Sequence, residues 1–429
     1  MMNEMLLELL RTHATDGWEV TDVETEGWEF YFIGHKLDQS RTRSTRHTMV
    51  CVYKKSEDGA CLGKAGGEIA PTATRGEAEE MIQKLLFQAS LVKNPYYELV
   101  QPAEAAAPAP DGEIPSPAEI AADFLAVMRN LPETETEDIN SYEIFANNKK
   151  RHFMNSEGVD VSSSYPSSMI EVVVNARKDG EEIELYRNYT SGSCGAKELA
   201  ESLSRTLTVG RDRLLARPTP VSGKLPVVFS TDAAVALYRY FISRLSTGMI
   251  YQQISDWTAG KDVMEGAAGD RFTVRSARDL PNSSANAAFD GEGAPIRDET
   301  FLKDGVVRAN FGPRQFSWYL GQRDTFLPGN FVVSGGTKSA AELREGTCLE
   351  AVEFSDFQVD PVTGDIAGEL RLGYLRENGA CRIVSGGSVS GNMREALKEM
   401  RASGEARQYD CYSIPAVTRI EGLTVTGAV

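Results

Sequence analysis

The sequence predicts an α+β protein: an N-terminal mixed α/β region with a possible helix–strands–helix duplication, followed by a C-terminal antiparallel, β-rich domain. Three observations lead there. At 429 residues the chain exceeds one ordinary core and should divide into two or three folding units. Up to about residue 215, segments of helical period flank segments rich in β-branched and aromatic residues. From Arg271 onward, short alternating runs are separated by turns such as Lys303-Asp304-Gly305, Asp360 to Asp365 and Glu377-Asn378-Gly379, the pattern of hairpins.

In chain order, a helix is expected at residues 2–13, strands at 28–37 and 48–53, and a helix at 75–93. Glu77, Glu79 and Glu80 sit in the first turn of that second helix, where its dipole favours negative charge. Residues 101–117 follow, with Pro102, Pro108, Pro110, Pro115 and Pro117 among alanines and acidic residues; that composition cannot bury a core and predicts a semi-extended linker. A helix at 117–130, strands at 142–147, 168–176 and 182–189, and a helix at 196–215 repeat the earlier order at an offset of roughly 115 residues, which suggests a diverged duplication. A β-rich run at 224–230 then leads through Ser230-Thr231-Asp232, residues suited to an N-cap, into a helix ending near Thr247. One helix, 392–403, with Gly404 as its C-cap, interrupts the later strands. The units expected are therefore 1–100, the 101–117 linker, 118–222 and 223–429.

Composition narrows the function classes. Charged residues make up 25% and hydrophobic ones 41%, as in soluble globular proteins. Lys and Arg total 45 against 62 Asp and Glu, a formal charge of -17. Such a surface repels phosphate backbones, and no basic stripe with interleaved aromatics occurs, so nucleic acid is not an expected partner. Residues 1–10 carry Glu4 and Glu8 without a basic flank and read as an amphipathic helix, not a signal peptide. The longest apolar stretch, 225–245, is broken by Asp232, Arg239 and Arg244, so no membrane association is expected. The six cysteines form no C-x-x-C pair and fit reduced thiols in the cytoplasm.

Common catalytic signatures fail. Gly335-Gly336-Thr337-Lys338-Ser339 lacks the glycine before lysine that a phosphate loop needs. Gly59-Ala60-Cys61-Leu62-Gly63 has the outline of a nucleophile elbow, but no histidine follows as that arrangement requires, and a turn between strands is expected. Ser385 to Ser390 misses the spacing of that elbow as well. The four histidines, His13, His35, His47 and His152, include no pair at the helical spacing that would bring two imidazoles to one metal; His35 and His47 could meet across adjacent strands as a surface pair. Asp290, Glu292, Asp298 and Glu299 cluster around a Gly-Glu-Gly-Ala-Pro turn, where carboxylates could do acid–base work or bind a hard cation, or simply form an acidic loop. On the helix before Thr247, Val235, Leu237, Tyr238, Phe241, Ile242 and Leu245 are expected core residues at helical spacing.

The C-terminal half carries a longer series of motifs: Phe289-Asp290-Gly291-Glu292-Gly293-Ala294-Pro295 followed by Phe301-Leu302-Lys303-Asp304-Gly305-Val306-Val307, then Leu320-Gly321 and Ser339-Ala340-Ala341-Glu342-Leu343. The series continues through Gln358-Val359-Asp360-Pro361-Val362-Thr363-Gly364-Asp365, Ser390-Gly391-Asn392 and Arg419-Ile420-Glu421-Gly422-Leu423-Thr424-Val425. In this order, over roughly 140 residues, it resembles the TldD/PmbA family, historically called modulators of DNA gyrase. The family contains zinc-dependent peptidases and homologues without the metal, which pair as a heterodimer that cleaves unfolded peptides in the cytosol. The peptide lies there as an added β-strand.

Catalytic members carry His-Glu-x-x-x-His on the helix that corresponds to residues 233–245. In this sequence Tyr238 stands at the first His, Arg239 at the Glu and Ser243 at the second His, while Leu245 keeps the apolar position after the motif. Cys411 lies near the family's late cysteine ligand, at a shorter spacing to Pro415 than the pattern. Phenol, guanidinium and hydroxyl cannot replace two imidazoles and a carboxylate base around zinc. The resemblance thus implies a pseudoenzyme of the PmbA/TldE-like branch, with no catalytic residues, metal or cofactor of its own. Zinc is then expected only in a TldD-like peptidase partner, the chain forming a heterodimer with that partner or a homodimer with itself. Two alternatives stay open: a peptidase or hydrolase using Asp290, Glu292, Asp298 and Glu299, with or without Cys411, and a self-associating peptide-binding protein without catalysis.

Overall fold

The computed structural model describes residues 2–105, 114–377 and 379–428. Residues 106–113 of the expected linker, and Asn378 of the expected 377–379 turn, lie outside the described residues.

The N-terminal elements are α1 (Met2–His13), β1 (Trp18–Ile33), β2 (Lys36–Lys55), β3 (Leu62–Ile69) and α2 (Arg75–Leu91). After the linker come α3 (Pro117–Arg129), β4 (Glu137–Asn155), β5 (Asp160–Lys178), β6 (Glu181–Ser191) and α4 (Ala196–Leu215). The order helix, three strands, helix thus occurs twice. All six strands form one sheet in the order β3-β2-β1-β4-β5-β6, with β1 and β4 antiparallel at its centre. The helices cover one face in two clusters. Leu6, Leu9, Ile82 and Leu85 pack with Val20, Val50 and Val52, and Phe124 and Leu203 pack with Ile144, Ile170 and Val172. Two of the N-caps are made locally by side chains: Thr74 and Glu77 form a capping box on α2, and Ser116 and Glu119 form one on α3 before Pro117.

The first two strands are much longer than the sequence pattern predicts. Residues 36–47 are mostly exposed, and in residues 18–27 only Trp18 and Val20 give the inward face an apolar side chain. They are held instead by cross-strand charge, Glu29 with Arg41 and Asp22 with Arg46, the latter 2.9 Å from Nε to Oδ1.

The C-terminal elements begin with β7 (Arg217–Pro218), β8 (Gly223–Phe229), α5 (Ala233–Arg244) and α6 (Thr247–Tyr251). Next are β9 (Thr273–Ala277), β10 (Glu299–Lys303), β11 (Val306–Val307), α7 (Arg314–Tyr319) and β12 (Asn330–Ser334). Then follow β13 (Cys348–Val359), β14 (Asp365–Glu377), β15 (Ala380–Ser385), β16 (Ser388–Asn392) and α8 (Met393–Ala396). The chain closes with β17 (Arg401–Ala402), β18 (Ala406–Tyr409), β19 (Tyr412–Pro415) and β20 (Thr418–Thr426). They build two sheets, β11-β10-β9-β12-β19-β18 and β13-β8-β20-β16-β14-β15-β7, around a core that includes Phe229, Phe241, Phe272 and Phe301. The architecture is α+β with a β-rich C-terminal part, as the sequence predicts.

The expected helix at 392–403 is a single turn, α8. The reason lies in competition for its backbone. The Lys398 carbonyl accepts from the amides of Ala268 and Gly269 (2.8 and 3.0 Å), and the Met400 carbonyl accepts from Asp270 (2.9 Å), so the chain leaves the helix to pair with that segment.

Gly335 and Gly336 are part of the same packing, which explains their pairing without a phosphate. Gly336 has φ +94°, and a Cβ there would meet the Ala402 carbonyl oxygen at 2.0 Å. Gly346 also has positive φ, +73°, yet a Cβ there meets nothing within 4 Å. Gly346→Ala is expected to cost about 1 kcal/mol, the conformational penalty alone, and Gly336→Ala at least about 3 kcal/mol because the turn must also move off β17. Urea denaturation of the two variants checks this; equal losses would show that the contact at 402 is relaxed without cost.

Candidate functional site

The sites expected from the sequence fall in two places, α5 with its surroundings and the loop around Asp290. On α5, Tyr238 is fully buried, as its helical spacing predicts. Its ring lies 5.8 Å from Phe272 and 6.3 Å from Phe241, and its hydroxyl is 2.7 Å from Thr418 Oγ1. Burial pushes this phenol above its usual range, so it stays neutral at any physiological pH. Arg239, one residue on, is exposed, and Ser243 is partly buried. Arg239 is close enough to Cys411 and Tyr412 for its charge to favour ionisation of both. Burial, reinforced by Asp410, nevertheless pushes the Cys411 thiol up to about 11. It is a protonated thiol at neutral pH, a weak nucleophile and a poor metal donor.

Arg239 thus lies within electrostatic range of Cys411, while Tyr238 is committed to the core. This donor set does not fit zinc: a buried phenol, a cation and a neutral thiol offer no pair of imidazoles and no free carboxylate. Among the described residues, no group of three or more His, Cys, Asp or Glu is arranged to hold a metal ion.

The histidines are spoken for elsewhere, each beside a carboxylate. His13 lies 3.0 Å from Glu79, His35 2.9 Å from Glu133, His47 2.7 Å from Glu68 and His152 2.6 Å from Asp160. His35 and His47 do not meet. His35 follows β1 in the turn, whereas His47 pairs outward across β2 to β3. Gly59 to Cys61 lie in the turn between β2 and β3, Leu62 and Gly63 open β3, and all six cysteines are free thiols.

The four carboxylates near residue 290 split into two sets. Asp298 accepts from the Arg278 amide (2.8 Å), and Glu299 pairs with Arg297 (3.0 Å). Asp290 and Glu292 stand together in the loop before β10. Asp290 is buried and accepts three backbone amides, those of Glu292 (2.9 Å), Ala294 (3.0 Å) and Leu327 (2.9 Å). Both its oxygens are thereby used to close the loop. Burial still holds the pKa of this carboxyl above the ordinary carboxylate value. Gly293, at φ +85°, presses on the Phe153 ring of β4, and the Arg151 guanidinium lies 5.2 Å from the Phe289 ring, so the loop wedges the β-rich part against the six-stranded sheet.

Glu292 reaches into that junction. It accepts from the Arg314 amide (2.7 Å), and the Arg314 guanidinium in turn holds Glu104 (2.9 Å). Across the junction, Glu19 of β1 accepts from the Tyr53 hydroxyl (2.7 Å) and lies 3.4 Å from Lys64. Burial, with the negative charge of Glu19 and Asp290 added, pushes Glu292 up to about 7. Burial would lower Lys64, but Glu19 overcomes this and keeps the ammonium charged. Sequence reasoning found Asp290 and Glu292 and missed Glu19, Tyr53 and Lys64. The available signal was a charged residue in an otherwise apolar strand beginning, at Glu19.

The three sheets and their helices define an α+β protein with a β-rich C-terminal part. Residues 222–427 match the PmbA/TldA metallopeptidase C-terminal domain. The whole fold is shared with TldE from Thermococcus kodakarensis (TM-score 0.77, 15% identity, 99% of this chain and 100% of that one). It is shared equally with a proposed modulator of a DNA gyrase from Thermotoga maritima (TM-score 0.78, 17% identity, the same coverage). An uncharacterised protein of Methanocaldococcus jannaschii is 24% identical over 282 residues, 62% of this chain; the match spans 64% of that protein's length. The C-terminal half is thus similar to the PmbA/TldA metallopeptidase C-terminal domain, and the whole chain has the fold of those two solved structures. Among the described residues, no helix is long and apolar enough to cross a membrane.

Proposed function

We propose that this chain is the non-catalytic, PmbA-like subunit of a peptidase assembly, paired with a zinc-bearing TldD-like partner that it helps to enclose an extended, unfolded peptide. The observation that carries this is α5: a tyrosine sealed in the core and an exposed arginine stand where the family's active members place the first zinc ligand and the base. A homodimer that binds peptide without cleaving it is a separate reading, in which a second copy is the partner and no hydrolysis occurs. The six-stranded sheet offers a place for strand pairing. Since β3 covers β2 only from Thr48 to Lys55, the outer edge of residues 36–47 has no strand partner among the described residues. Pairing at an edge reads backbone amides and carbonyls rather than side chains, which suits a broad choice of unfolded segments.

Metal analysis and peptidase assays on the purified chain, alone and co-expressed with a homologue carrying His-Glu-x-x-x-His, test the proposal. The expected result is less than a tenth of a zinc per chain alone and hydrolysis of an unfolded peptide only in the co-purified complex. Stoichiometric zinc together with hydrolysis by the chain alone would overturn it.

A further inference from the structure

A cavity of about 570 Å³ lies at the C-terminal end of α5, away from the Asp290 loop. Tyr240 and Arg244 of α5, Trp257 and Lys261 of the following loop, and Arg394 and Lys398 in and after α8 line it. Arg244 is the unusual member. Its residue is only 6% exposed, yet its hydrogen bonding is incomplete. Nη1 donates to the Ile254 carbonyl (2.7 Å), and the guanidinium carbon lies 5.9 Å from both the Tyr240 and Trp257 rings. Nε is buried and has no hydrogen-bond partner. Nη2 is 3.8 Å from the Asp256 carboxylate, beyond hydrogen-bond reach, and that carboxylate is largely exposed and engaged by Lys261.

An unmade donor on a buried charged group is costly, and such groups in native proteins call for an explanation. The Nε and Nη2 edge of a guanidinium is a planar fork that matches two oxygens of one carboxylate or phosphate. The electrostatics agree. Four cationic side chains line the cavity against three carboxylates, Asp256, Asp262 and Glu265, in a chain of net charge -17. Lys261 is paired with Asp256, Lys398 with Glu395 (2.7 Å) and Arg271 with Asp262 (2.8 Å), which leaves Arg244 and Arg394 facing Glu265. Tyr240, Trp257 and Leu397 supply apolar wall beside the charge.

We propose that this cavity binds a small organic carboxylate, its oxygens on the Arg244 fork, its apolar body against Trp257, and Arg394 and Lys398 at the mouth. The site is separate from the positions that define the subunit reading and stands or falls without it. Calorimetric titration of the full chain with phenylacetate and, separately, with inorganic phosphate tests it, with Trp257 fluorescence as a second readout. The expected result is saturable one-to-one binding of phenylacetate, weakened at least tenfold in Arg244→Lys, which keeps the charge and loses the fork. The exposed-rim double variant Arg394→Ala with Lys398→Ala should weaken it as well and cannot be blamed on misfolding; Lys178→Ala, on β5, should bind as the parent does. Absent binding, binding unchanged in both variants, or phosphate binding alone at these residues would each overturn the proposal.

Discussion

Tyr238→Ala is expected to lower stability by about 3–5 kcal/mol, the loss typical of deleting a fully buried aromatic side chain. The ring contacts Phe241 and Phe272, and no part of it reaches solvent. Tyr238→Phe keeps the volume and strands only the Thr418 hydroxyl, so about 1 kcal/mol is expected there. The more telling variant is Tyr238→His. Were this position a latent ligand site, histidine would add zinc affinity at little structural cost. The structure gives the opposite outcome: a smaller, more polar ring in an apolar pocket destabilises the fold by a few kcal/mol and zinc content stays unchanged. Chemical denaturation and metal analysis of the three proteins give the answer; a stable, zinc-loaded Tyr238→His protein would sink the argument.

The second large effect is on pH dependence. Glu292 ordinarily titrates near 4.5 and is pushed up to about 7 in the folded chain. Between those values the folded state holds a proton that the unfolded chain has lost. Stability therefore falls as pH rises through that window, by about 3 kcal/mol for this group, and the contribution is flat below and above it. Glu292→Gln keeps an acceptor for the Arg314 amide without the buried charge. The variant is expected to match the parent near pH 4 and to exceed it above pH 7. Parallel denaturation curves from pH 4 to 8 measure the difference, and a constant gap would show that Glu292 is not the titrating group. Because this carboxylate sits where the β-rich part meets β1, its ionisation should loosen that contact first, visible as faster amide exchange near Glu19 and Arg314.

Local chemistry made much of this molecule readable in advance. Pro117 marked the start of α3, and the spacing of Leu237, Tyr238, Phe241 and Ile242 announced a buried α5 face. What escaped was set by distant partners. The long polar arms of β1 and β2 are strands because each supplies the other's charges, which no single window displays. Residues 397–402 leave the helix because the segment at 268–270 takes their carbonyls. The carboxylates near 290 were visible as a cluster, but only the fold shows that Asp290 closes a loop while Asp298 and Glu299 answer to Arg278 and Arg297. Glu19 and Glu292, or Arg244 and Arg394, are far apart in the chain and meet only after it has folded.

The central pairing of β1 with β4 also dictates an order of events during synthesis. Trp28 faces Ala146 and Glu19 faces Asn155, so β1 waits for more than a hundred further residues to leave the ribosome before its inner edge is covered. A nascent chain halted at the proline-rich stretch would present that edge bare, inviting a second nascent copy to fill it. Late covering of that edge is thus a consequence of the topology itself, independent of anything the finished protein does.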